Sequence, residues 1–147
     1  MKLLRIDTDG AVVGGPCLEE QRERRDVVRT VLGGLPEEAV YHRRASLYVH
    51  GSGQVERLPM NLTGWVLASV WRGLEIPYGL YGPVVVTGPQ MTDLDEDLVG
   101  EVLAVCAAVA EVRLEWVTRA PAGETQARVE LLAAARQALA SAAEGSA

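Results

Sequence analysis

The chain has 147 residues, 48% of them hydrophobic and 23% charged, with a formal net charge of −6. That length suits one domain burying roughly 70% of its unfolded surface, and the composition excludes wholesale disorder. The acidic balance excludes a generally basic nucleic-acid binder, so direct nucleic-acid binding is not expected.

Two cysteines, Cys17 and Cys106, lie far apart and outside any CxxC pattern. A secreted disulfide scaffold would carry more, so a reducing, cytoplasmic location is expected. Arg5 and Asp7 interrupt the N-terminal apolar residues, and no signal peptide is expected there. The longest uninterrupted apolar run is Val102–Ala110, nine residues, where a membrane span needs about 20. The basic residues are thirteen Arg and a single Lys, Lys2, beside abundant Ala, Val and Gly. This bias is the mark of GC-rich coding, as in actinobacteria and their phages. It does not indicate nucleic-acid recognition, because residues 1–50 carry eight positive and eight negative charges.

Residues 2–7 read as a strand, and Thr8-Asp9-Gly10 turns the chain into Ala11-Val12-Val13. Asp-Gly between apolar runs signals a hairpin, since glycine supplies positive φ. Leu18–Leu32 follows as an amphipathic helix with Val27, Val28, Val31 and Leu32 on one face. Gly33-Gly34 caps it, and Pro36 prevents continuation. Val40–His42, Leu47–Val49 and Gln54–Leu58 read as antiparallel strands, the last two joined by Gly51-Ser52-Gly53. Asn61 is a good N-cap for a helix over Leu62–Trp71, with Met60 and Trp65 at hydrophobic-staple spacing. After a loop rich in Gly, Pro and Tyr, Pro83–Thr87 is the candidate for a central strand buried on both faces. Asp93 and Glu96 have capping-box spacing, and Leu98, Val102, Val105, Cys106 and Val109 share one helical face. Val112, Leu114 and Trp116 alternate, which predicts a strand there. Pro121 and Gly123 precede a final Ala-rich helix, about residues 124–143. The expected fold is α+β, a single domain with a mainly antiparallel sheet packed against three to four helices. Its core domain spans 1–117, and 118–147 forms an Ala-rich helical extension that either docks on its own domain or pairs with another subunit as a homo-oligomer.

The strand-forming MKLLRIDTDG, the helix opened by Asn61, and Tyr81-Gly82-Pro83-Val84-Val85-Val86-Thr87-Gly88 before an acidic helix start together resemble one family. It is the domain-of-unknown-function family numbered 3846, found in phages, plasmids and actinobacterial mobile elements. The resemblance covers roughly residues 1–112, and Leu62 stands where that pattern carries proline. It implies a mobile-element accessory protein and supplies no catalytic residues.

Several motifs suggest chemistry and are weighed against plainer roles. Ile6-Asp7-Thr8-Asp9-Gly10 resembles the first motif of haloacid-dehalogenase-type phosphatases, with Asp7 as nucleophile and Asp9 as acid/base. Val84–Gly88 imitates the second motif, but no downstream lysine exists for the third. His42 and His50, eight residues apart, lack the convergent partners that zinc requires, and no metal or cofactor is expected. Cys17, before a helix, could pair with either histidine as a nucleophile, though no further motif supports it. Gly51-Ser52-Gly53 opens no helix and reads as a turn rather than a phosphate loop. The acids Asp93, Asp95, Glu96, Asp97 and Glu101 could imitate nucleic-acid phosphates, but helix-dipole effects already account for them.

Two function classes remain. In the first, the chain is a non-enzymatic interaction module with an unidentified protein partner, serving counter-defence or regulation. It would act through the aromatic loop bearing Trp71, Arg72, Tyr78 and Tyr81. In the second, Asn61, Arg72, Tyr78, Tyr81 and Thr87 converge on a pocket for a small ligand or nucleotide. A flat or convex patch favours the former, a polar pocket the latter.

Overall fold

The computed structural model of the protein describes residues 3–15, 21–42 and 44–145. Five antiparallel strands form one sheet: β1 (Leu4–Ile6), β2 (Val12–Gly14), β3 (Pro36–His42), β4 (Ala45–His50) and β5 (Val84–Thr87), in spatial order β2-β1-β5-β4-β3. Four α-helices accompany it: α1 (Gln21–Leu32), α2 (Leu62–Arg72), α3 (Glu96–Glu115) and α4 (Glu124–Gly145). The α+β architecture with a mainly antiparallel sheet is therefore as expected from the sequence. Among the described residues no helix is long and apolar enough to cross a membrane.

Strand alternation sorts the core into two layers. Leu4, Ile6, Leu47, Val49, Val84 and Val86 point to one face and pack with α2, α3 and α4. Leu3, Tyr48 and Val85 point to the other, where Val28 and Leu32 of α1 cover them with Met91. The β5 run Val-Val-Val-Thr is buried along its whole length because it lies between β1 and β4 with helices on both sides.

The Asp-Gly hairpin forms, pairing Ile6 with Val12 and Leu4 with Gly14. Gly10 takes φ +93°, and Asp9 Oδ1 accepts from the Ala11 amide at 2.9 Å. Helix α2 starts at its Asn61 cap and ends at Gly73, whose φ of +76° is the left-handed C-cap.

Three local expectations are corrected. Val112, Leu114 and Trp116 form no strand: α3 continues to Glu115, with Trp116 as its C-cap. Val112 extends the buried stripe of Val102, Val105 and Val109, and no breaker occurs before Pro121. Gln54–Leu58 is likewise no strand but a coiled turn, with Leu58 N donating to Gly53 O and Glu56 N to Ser52 O. Both edges of β4 are already taken by β3 and β5, so that segment cannot pair back onto β4 as a hairpin would require, and Val55 is left 84% exposed. The capping box at Asp93 does not form: α3 starts one residue after Asp95, which makes no side-chain cap bond. Asp93 instead pairs with Arg24 of α1.

The Ala-rich C-terminal segment docks on its own chain. Leu131, Leu132 and Ala135 of α4 are buried in the same cluster as α2, α3 and the sheet. Arg119 in the preceding turn ties Glu115 of α3 to Glu130 of α4, and Arg128 pairs with Glu75 at 2.9 Å.

Candidate functional site

Asn61 is completely buried, and every polar group of its side chain is occupied. Its Oδ1 accepts from Gly64 N at 2.9 Å, while Nδ2 donates to Ile6 O at 2.9 Å and Gly82 O at 3.0 Å. The residue caps α2 and ties that cap to the end of β1 and the entry of β5, with nothing left for a ligand. Thr87 is also buried, and its hydroxyl donates to Gly88 O at 2.7 Å. Paired with Ser46 and two residues from Val85, it lies on the α1 side of the sheet. Trp71 and Arg72 end α2, roughly 15 Å from its start at 1.5 Å per residue. Trp71 is half-buried against the core, and Arg72 is exposed. The six expected residues are therefore spread over both faces of the sheet and the far end of α2, and the side chains of Asn61 and Thr87 are engaged within the fold.

Tyr78 and Tyr81 do come together. Tyr78 is 49% exposed, yet its hydroxyl is fixed, donating to Ala39 O on edge strand β3 at 2.8 Å. The tip of Tyr81 folds over Gly79: a Cβ on that glycine would stand 2.9 Å from Tyr81 Oη. A side chain at Gly53 would meet Tyr81 O at 3.1 Å, so this turn also needs glycine to approach. The loop is anchored from below by Trp65 Nε1, which donates to Ile76 O at 3.2 Å, and by Ile76 N, which donates to Ser69 Oγ.

This loop separates two clefts. One, about 360 Å³, lies between Tyr78–Tyr81 and the ends of β3 and β4, with Glu37, Val49, His50 and Gln54 on its walls. The other, about 330 Å³, is bounded by Met60, Trp65, Ile76, Pro77 and the Glu75–Arg128 ion pair. Met60, bridged to Tyr81 and 44% exposed, adds apolar surface beside the loop. Glu37, Gln54, Glu75 and Arg128 carry no motif in the sequence, and Met60 reads there only as a staple partner of Trp65. Only the return of the 76–81 loop across the β3–β4 hairpin brings them beside the tyrosines.

Among the described residues, the other chemical motifs resolve into structure. Strand β1 runs antiparallel to β5, pairing Ile6 with Val84 and Leu4 with Val86. Asp7 and Thr87 thus sit at opposite ends of the pair, roughly 13 Å apart at about 3.3 Å per residue. A phosphatase of the kind resembled needs both at one end. Asp7 forms an ion pair with Arg5 at 2.9 Å, and Asp9 completes its turn. The β3–β4 register places His42 beside Ala45 and His50 beside Pro36, at opposite ends of the hairpin. His50 Nδ1 accepts from Ser52 N at 2.9 Å, and Nε2 faces Glu56. Among the described residues no group of three or more His, Cys, Asp or Glu could hold a metal ion. Cys17 lies outside the described residues, whereas Cys106 is buried, and burial pushes its thiol up to about 12. In the acidic set, Arg44 binds Asp95 at 2.9 Å and Asp97 at 2.7 Å. Hydrogen bonding to Arg44 holds the Asp97 carboxyl below its usual range. With Asp93 paired to Arg24, three of the five acids face arginines, an arrangement unsuited to imitating a phosphate backbone.

One further buried group has no sequence signal. Thr63 Oγ1, in the first turn of α2, has no hydrogen-bond partner among the described residues. It lies beneath Gly10, where a Cβ would stand 3.3 Å from it.

Comparison with known proteins finds no matching family model, no matching curated protein and no matching solved structure.

Proposed function

We propose that the protein is a non-enzymatic interaction module that binds a protein partner through the Tyr78–Tyr81 loop. The observation that carries this reading is a half-exposed tyrosine held rigidly at the surface. It stands between two open clefts, with Met60 exposed on the wall of one of them. Rigid aromatics amid apolar neighbours and a charged rim are the usual anchors of protein interfaces, because they bury much area at little entropic cost. Among the described residues, the motifs that suggested catalysis are occupied by turns and ion pairs, which weakens the argument for an enzyme. The resemblance of residues 1–112 to family 3846 supports a role as a phage or plasmid accessory protein of actinobacteria, working in the cytoplasm.

A small-ligand reading keeps one observation in its favour: the larger cleft falls within the roughly 300–1,000 Å³ typical of ligand sites. It loses Asn61 and Thr87, the polar groups it relied on, and ranks second. The deciding experiment is affinity capture with the chain and with a Tyr78→Ala/Tyr81→Ala variant that keeps its circular dichroism spectrum. A stoichiometric protein captured by the former and lost by the latter is expected. Equal capture by both would remove the loop from the interface, and a co-purifying metabolite would favour the second reading.

A further inference from the structure

From the chemistry of the larger of these two clefts we infer that the partner inserts a cationic side chain, arginine before lysine, into the space bounded by the Tyr78–Tyr81 loop and the 50–54 turn, with Glu37 as its counter-charge. This deepens the interaction-module reading and rests on it. Among the described residues, the cleft walls include two glutamates and no lysine or arginine. From β3, Glu37 Oε2 lies 3.6 Å from where a Cβ on Gly51 would stand, at the mouth of the cleft. No ion pair to Glu37 occurs among the described residues. Glu38 is occupied differently, accepting from Ser46 Oγ at 3.4 Å. From β4, His50 spends Nδ1 on the Ser52 amide and directs Nε2 to Glu56, a third carboxylate close by. The 51–57 turn supplies Gln54, and the loop supplies Tyr78 and Tyr81.

A carboxylate without a counter-ion among the described residues, on a cleft shared with two tyrosines, suits a guanidinium. Its planar fork matches a carboxylate, and its face stacks on aromatic rings, where a cation is drawn to the ring quadrupole. The ammonium of lysine satisfies the charge but not the planar stacking. An anionic or phosphorylated segment would meet two glutamates there. The chain's net charge of −6 works in the same direction by steering basic partners toward it.

The test uses a random peptide library displayed against the full chain, with counter-selection on the Tyr78→Ala/Tyr81→Ala variant. Peptides that depend on the two tyrosines should be enriched in arginine. Their affinity should fall about tenfold in Glu37→Gln, as expected for loss of a charge-assisted hydrogen bond. It should fall similarly when citrulline replaces the arginine, and should weaken with added salt. Tyr78→Phe, which keeps the ring but not the bond to Ala39, controls for loop disorder and should retain most of the binding. Tyrosine-dependent peptides without a cationic residue, or with affinity unchanged in Glu37→Gln, would overturn the cation site and leave the interaction module standing. If no selected peptide depends on the tyrosines, both fall. Free arginine binding as tightly as the selected peptides would also overturn the inference, making the cleft a small-ligand site.

Discussion

At the scale of single residues, burial decides which polar side chains can act on anything else. Asn61 reads in sequence as a cap, and as a cap alone it would tolerate aspartate, which accepts the Gly64 amide equally well. The two bonds donated by Nδ2 to Ile6 O and Gly82 O distinguish the roles. Asn61→Ala should destabilise by about 2–4 kcal/mol, combining a lost cap with buried carbonyls left unpaired. Asn61→Asp should not rescue it in urea unfolding; near-native stability of that variant would reduce Asn61 to a cap. Thr63 presents the reverse case. Its buried hydroxyl lacks a partner among the described residues, so isosteric Thr63→Val should be neutral or stabilise by up to about 1 kcal/mol. A clear loss would show that the hydroxyl is engaged. Cys106 supplies a test in alkali. The unfolded thiol ionises near about 8.5, while burial pushes the folded one up to about 12. Between those values the unfolded chain has lost a proton that the folded chain keeps, so stability falls as pH rises. The slope should be at most about 1.4 kcal/mol per pH unit steeper than in Cys106→Ala, and equal slopes would contradict the buried thiol. Neither the second role of Asn61 nor the isolation of Thr63 could be read in advance, since both depend on chain segments distant in sequence.

At the scale of elements, local pattern succeeded where one periodicity dominated and failed where two overlapped. The Asp-Gly hairpin, the Asn61–Gly73 helix and the Val84–Thr87 strand each carry a boundary signal and an unambiguous pattern. Val112–Trp116 alternates like a strand and also continues the stripe of α3. The absence of a breaker before Pro121 settles it as helix. The start of α3 shows how a long-range pair replaces a local cap. Asp93 binds Arg24, while Asp95 and Asp97 bind Arg44 in the β3–β4 turn. Hydrogen bonding to Arg44 lowers the folded-state pKa of Asp97, so the pair contributes at neutral pH and is lost as pH falls through that lowered value. Arg44→Gln should cost some stability at neutral pH, with the deficit closing in acid and shrinking in high salt. A deficit independent of both would mean that Arg44 acts through packing.

At the scale of the whole molecule, two helical layers enclose the sheet, and α4 shares the core of α2 and α3 rather than forming an appendage. Leu131→Ala should therefore lower global stability by about 2–4 kcal/mol in a single cooperative transition. A chain ending before Glu124 should lose cooperative unfolding altogether, because the surface that Leu131, Leu132 and Ala135 cover would face water. Calorimetry of that truncation is the check; near-native melting would make residues 118–147 an independent extension.

The sequence by itself determined the α+β class, most helices, the hairpin and the central strand, because these follow from apolar periodicity and from Gly, Asp-Gly and Asn signals acting within a few residues. It also pointed to the aromatic loop, since tyrosines among Gly and Pro are conspicuous without a fold. Only the tertiary structure decided which residues keep those tyrosines company. Sheet order placed Asp7 and Thr87 at opposite ends of neighbouring strands, sealed Asn61 in the core and brought Glu37 beside the loop. The reason is physical: pairing partners and burial depend on where strands distant in sequence meet, and no local period encodes that meeting.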